Sequence, residues 1–168
     1  MHTKDKIVLI GDRLVRTRGI NAFSFSDISK ELGIKNSSVH YYFPTKTSLV
    51  LAILEKHARL LDKFKARVAD MDPGRKISSF LAVYSRARIG GRISILGALS
   101  SDVLTFEEEV KQALRLLTEE TLAWLSETLV QEQGFGACTD GRSRAVEMIS
   151  QILGAEQLAR ININLTHA

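Results

Sequence analysis

The 168-residue chain is long enough to bury a core without disulfides or metals, and its single cysteine, Cys138, excludes an internal disulfide and suits the reducing cytoplasm. Basic side chains exceed acidic ones by a formal +4, and the whole excess falls early: residues 1–57 carry nine Lys/Arg against five Asp/Glu, and residues 58–168 carry fourteen of each. An anionic partner is therefore expected at the N-terminal part, while secretion and membrane spanning are not: residues 7–10 run straight into Asp12 and Arg13, and residues 93–99 are interrupted by Ser94.

Taken in chain order, the periodicity is helical throughout. Residues 5–18 set Ile7, Ile10 and Leu14 beside Val8, Gly11 and Val15 in adjoining rows, and Gly19 stops the helix with Arg16 and Arg18 in its last turn. Ser24-Phe25-Ser26-Asp27 reads as a capping box opening a second helix, with Ile28 and Leu32 on its apolar face and Gly33 at its end. A third short helix is expected over 36–43, with Val39 and Phe43 inward. Pro44 breaks it, and Thr45 caps a fourth helix through Leu49, Ala52, Ile53 and Leu60. Asp72-Pro73-Gly74 reads as a turn, followed by helices over 75–89 and 93–104 separated by Gly90-Gly91. A long helix over 107–132 carries Val110, Leu114, Leu117, Thr121, Trp124 and Leu125 in one stripe, with three glutamates at its positive end. Gly134 and Gly136 bound a loop, and a last helix over 142–161 carries Val146, Ile149, Leu153 and Leu158 inward. The expected fold class is all-α.

Two short helices joined by a glycine turn form a helix-turn-helix layout. Such a pair needs a buried seam to hold the second helix rigid, and Ile28, Leu32, Val39 and Phe43 supply it. The second helix must present short polar or aromatic side chains to a major groove, and Asn36, Ser37, Ser38, His40 and Tyr41 do so.

The segment Phe25-Ser26-Asp27-Ile28-Ser29-Lys30-Glu31-Leu32-Gly33-Ile34, with Val39-His40-Tyr41-Tyr42-Phe43-Pro44-Thr45-Lys46 after it, resembles the tetracycline-repressor (TetR) family across about residues 5–57. The resemblance implies a three-helix DNA-binding domain over 1–50 and a helical effector-binding and dimerisation domain over 51–168. It implies DNA contacts from the recognition helix, here Asn36, Ser37, Ser38, His40, Tyr41 and Tyr42, with Ser37, Ser38 and Tyr41 the candidates for base or sugar and Tyr42 on or near the phosphates. Phosphate contacts are expected from Ser24, Lys35, Thr45 and Lys46, since a lysine beside a helix N-terminus suits an anion. His40 stands where the family usually has tyrosine, and Lys35 where it usually has a capping serine, which leaves Asn36 to cap.

The resemblance also implies a homodimer, a near-palindromic double-stranded operator and a small-molecule effector. Gly154 to Arg160 is similar to the family's dimer-forming helix. Phe80, Tyr84, Arg88, Leu96, Trp124 and Met148 are the expected effector-pocket residues. No phosphate-binding glycine loop, metal-ligand spacing or nucleophile–base pair occurs, so neither a cofactor nor an enzyme is expected. The alternatives are an all-helical small-molecule-binding protein or enzyme that ignores DNA, and a protein-interaction module using the helix pair as scaffold.

Overall fold

The computed structural model describes residues 1–87, 91–133 and 140–161. Among them lie eight α-helices and no strand: α1 (Thr3–Arg18), α2 (Phe25–Leu32), α3 (Asn36–Tyr42), α4 (Lys46–Val68), α5 (Pro73–Ala87), α6 (Ile95–Ser100), α7 (Glu108–Gln133) and α8 (Gly141–Arg160). Short 3-10 turns follow α1 at Ile20–Ala22 and α6 at Val103–Thr105. The expected loop at Gly134 and Gly136, the cysteine Cys138 and the glycine Gly90 lie outside the described residues.

Four expectations are revised. The third helix ends at Tyr42, because Phe43 turns to extended backbone (φ −137°) ahead of Pro44. Pro73 is the first residue of α5 rather than part of a turn, a position where no N–H is needed, and the Asp72 carboxylate accepts the Arg75 N–H at 3.0 Å. The predicted helix over 93–104 is only the six residues of α6, capped by the Ser94 hydroxyl, followed by a 3-10 turn. Leu60, Val146 and Leu158 are exposed: Leu60 lines a cavity beside α4, and Val146 and Leu158 lie on α8 outside both cores.

Apolar side chains gather in two cores. The first joins α1–α4 to α6 and the start of α7 through residues such as Ile7, Leu14, Ile28, Val39, Leu49, Ile53, Leu99 and Val110. The second lies between the far half of α4, α5, the far half of α7 and α8, around Phe64, Val68, Phe80, Leu125, Leu129, Ala145 and Ile149. The N-terminal helices thus share one packed interior with α6, and α4 carries the chain across position 50 without a break. Gly11 permits the close approach of α1 to α4: a Cβ there would lie 3.0 Å from a Leu49 methyl.

Candidate nucleic-acid interface and its link to an internal cavity

The helix pair is built from its caps inward. The Ser24 N–H and hydroxyl both donate to the Asp27 carboxylate at 2.7 Å, starting α2 and drawing that carboxyl below its usual range. Gly33 ends α2 in the left-handed region (φ 65°), where a side chain would be strained, and the Ile34 N–H returns to the Ser29 carbonyl at 3.0 Å. Phe25, Ile28, Val39 and Phe43 then close the seam, Ile28 and Val39 with no exposed surface at all. Burying two such side chains contributes roughly 1.5–3 kcal/mol each, enough to fix the angle of α3.

On its outward side α3 presents Asn36, Ser37, His40, Tyr41 and Tyr42, with Lys35 just before it; Ser38 is half-buried. Tyr41 is 81% exposed and stands edge-on to Tyr42, their rings 5.2 Å apart. An aromatic side chain that exposed has no packing role within the subunit. The His40 ring meets the edge of Phe25 at 4.9 Å, so it bridges the seam and the outer surface. Lys35 is the N-cap residue and its side chain makes no capping bond, while Asn36 is already helical, which corrects the expectation that Asn36 caps.

The expected phosphate-contacting residues divide. Lys35 is exposed. Ser24 is exposed but tied to Asp27, and Thr45 is exposed and caps α4 by accepting the Ser48 N–H at 3.1 Å. Lys46 turns back on its own subunit: its ammonium donates to the Ile20 carbonyl at 2.8 Å and sits 4.9 Å from the centre of the Phe23 ring. Across the helix pair, Arg13 of α1 is ion-paired with Glu31 of α2.

Behind this unit lies a cavity of about 350 Å³ between α1, α4, α5, α6 and α7. Of the six residues expected at an effector pocket, Phe80, Tyr84 and Leu96 line this cavity. Trp124 and Met148 do not: Trp124 packs behind the wall against Phe64 and Phe80, at 5.3 and 5.6 Å between ring centres, and Met148 packs on the second core. Arg88 lies outside the described residues. Arg16, His57, Phe64, Arg92, Ser94 and Leu117 also line the cavity and were missed by periodicity. Arg16 had been assigned only to the helix dipole, and no local pattern pairs residues 45 positions apart, as His57 and Asp12 are here.

Asp12 anchors the wall. Its carboxylate takes Lys56 at 2.6 Å and His57 at 2.7 Å, and Arg16 lies 3.9 Å away. Burial opposes ionisation of Asp12, but hydrogen bonds and charge from His57 and Lys56 outweigh it and hold the carboxyl at about 2. Arg16 ties α1 to the strap before α6: its Nε donates to the Ile93 carbonyl at 2.6 Å, and the Ile93 N–H donates back to the Arg16 carbonyl at 3.1 Å. Ser94 beside it gives its N–H and hydroxyl to the buried Glu156 at 2.9 and 2.6 Å.

Comparison with known proteins places this arrangement. Residues 11–53 match the sequence model of the bacterial regulatory proteins of the tetR family. The HTH-type transcriptional repressor NemR of Escherichia coli (strain K12) is 22% identical over 171 residues, covering 95% of this chain and 85% of NemR. A TetR transcriptional regulator from Legionella pneumophila superposes with a TM-score of 0.87 and 26% identity, covering 96% of this chain and 89% of that one. AibR, solved in complex with isovaleryl coenzyme A and operator DNA, shares the fold with a TM-score of 0.74 and 16% identity, over 93% of this chain and 86% of its own. The chain is thus similar to the bacterial regulatory proteins of the tetR family along its helix-turn-helix, by the family's sequence model, and to TetR transcriptional regulators along nearly its whole length in fold.

Proposed function

We propose that the protein is a cytoplasmic, homodimeric repressor that holds a near-palindromic operator through α3 and leaves it when a small molecule occupies the cavity. The observation that carries this reading is the division of α3: Val39 is wholly buried while Tyr41, two residues on and so on the opposite side of the helix, is 81% exposed. The helix is rigidly seated with its polar side outward. Asn36, Ser37, Ser38, His40, Tyr41 and Tyr42 are the proposed groove contacts, and Lys35, Thr45 and Ser24 the phosphate contacts. Lys46 is proposed to position the unit by clamping the Ile20 carbonyl. Residues 1–50 serve DNA binding and 51–168 effector binding and dimerisation.

Dimerisation is supported by apolar side chains left exposed on the two long C-terminal helices. Leu116 and Val130 lie on α7, and Val146 and Leu158 on α8, with Gly154 facing open space between the latter two. The reading requires two protomers paired so that their copies of α3 stand about one DNA turn apart, ~34–36 Å, or a multiple of it. Release is supported by the shared first core and by Arg16, which belongs to α1 yet lines the cavity. AibR, which shares the fold, was solved with both a coenzyme A thioester and operator DNA.

The test is a mobility-shift titration of DNA from upstream of the protein's own gene at two salt concentrations. The expected result is a discrete complex that tightens at low salt and survives excess unrelated duplex. A protein that ignores DNA at low salt would refute the reading.

A further inference from the structure

We infer that the cavity takes an amphipathic organic anion, a carboxylate on a medium-length apolar tail, whose head group is received by Arg16. The inference rests on the effector-controlled reading above and names the chemical class that reading leaves open. The cavity lining is of two unlike kinds. Phe64, Phe80 and Leu117 make an apolar wall, while Arg16, His57 and Arg92 are the charged or titratable nitrogen bases lining it. No carboxylate side chain is among the described lining residues. Two acidic groups act on Arg16, and both have partners of their own: Asp12 faces Lys56 and His57, and Glu156 receives the Ser94 N–H and hydroxyl.

Arg16 is suited to the head group. Its Nε is committed to the Ile93 carbonyl, and its Nη1 lies 3.9 Å from Asp12, an ionic contact too long for a hydrogen bond. Burial disfavours its charged form, a cost that a second carboxylate would relieve by a charge-assisted pair. Tyr84, held protonated with its pKa pushed up to about 12 by burial and by the charge of Glu156, adds a neutral hydroxyl at the same wall. Because Arg16 sits on α1, a head group drawing it away from the Ile93 carbonyl acts directly on the helix that carries the DNA-binding unit.

The chain's single tryptophan, Trp124, touches Phe64 and Phe80 from behind, so its emission reports on the cavity. The experiment titrates the full-length protein, without DNA, with octanoate, 1-octanol and octyltrimethylammonium, reading Trp124 fluorescence and thermal shift. Octanoate is expected to bind saturably and at least about tenfold more tightly than the alcohol, with the ammonium weakest. Arg16→Gln is expected to weaken octanoate about tenfold and leave the alcohol unchanged. Equal or tighter binding of the alcohol or ammonium, no saturable binding of any probe, or octanoate binding indifferent to Arg16→Gln would each overturn the inference. The wild-type comparison stands even if the variant does not fold. DNA binding is read in a separate assay, so a failure here leaves the regulator assignment intact, and a failure there leaves these affinities measurable.

Discussion

Tyr41 and Asp12 carry opposite kinds of burden. Tyr41 contributes almost nothing to the fold, being 81% exposed, so Tyr41→Ala should leave the melting temperature unchanged. Because Tyr41 is a proposed DNA contact, the same change should weaken operator binding by about 1–3 kcal/mol, roughly 5- to 150-fold. Asp12 is the reverse. Its carboxyl, held at about 2 in the folded protein, lies below the ordinary aspartate value of 3.8, so the stability it supplies is fully present above about pH 4 and is lost as pH falls towards 2. That depression corresponds to about 2 kcal/mol. Asp12→Asn should therefore destabilise the protein at pH 7 and flatten the pH dependence of unfolding between pH 4 and 2. A variant with the wild-type acid limb would show that the Lys56–His57 pair does not set it. These two residues also mark what the sequence makes legible. Tyr41 was found because helical spacing puts it opposite Val39. The partners of Asp12 come from another helix, and no local spacing announces them.

Among the elements, α2 and α3 were the most readable because punctuation and periodicity agree there: the Ser24–Asp27 box, Gly33, the Val39–Phe43 seam and Pro44 each bound a helix. Gly33→Ala should cost about 1 kcal/mol through its positive φ, read as a lower denaturant midpoint with an unchanged slope. A neutral outcome would mean that the turn can relax. Legibility fell where a side chain's partner decides the outcome. On α8 the apolar residues Val146 and Leu158 face outward while the acidic Glu156 is buried, an inversion that hydropathy alone assigns the wrong way. Glu156 is buried because the Ser94 N–H and hydroxyl satisfy it from across the bundle. The span after Gly91 reads as one helix because apolar residues dominate it, but Ser94 caps α6 and a 3-10 turn follows Asp102.

Across the whole molecule, the proposed function asks the exposed apolar side chains of α7 and α8 to hold two subunits together, and the continuous first core to carry a change at each subunit's cavity to its α3. Placing a charge in the open space at Gly154 should break the pairing without touching either core. Gly154→Glu is expected to sediment as a folded monomer and to lose most of its operator affinity, since one subunit reaches only one half-site. A Gly154→Glu dimer would move the interface elsewhere.

The most direct measurement is the salt dependence of operator binding, by fluorescence anisotropy, for the wild-type protein and for Tyr41→Ala and Lys35→Ala. The wild type should lose affinity steeply as salt rises. Lys35→Ala should flatten that slope by about one phosphate contact, while Tyr41→Ala keeps the slope and lowers affinity at every salt concentration. If both variants bind as the wild type does, α3 does not meet DNA and the proposed function is wrong.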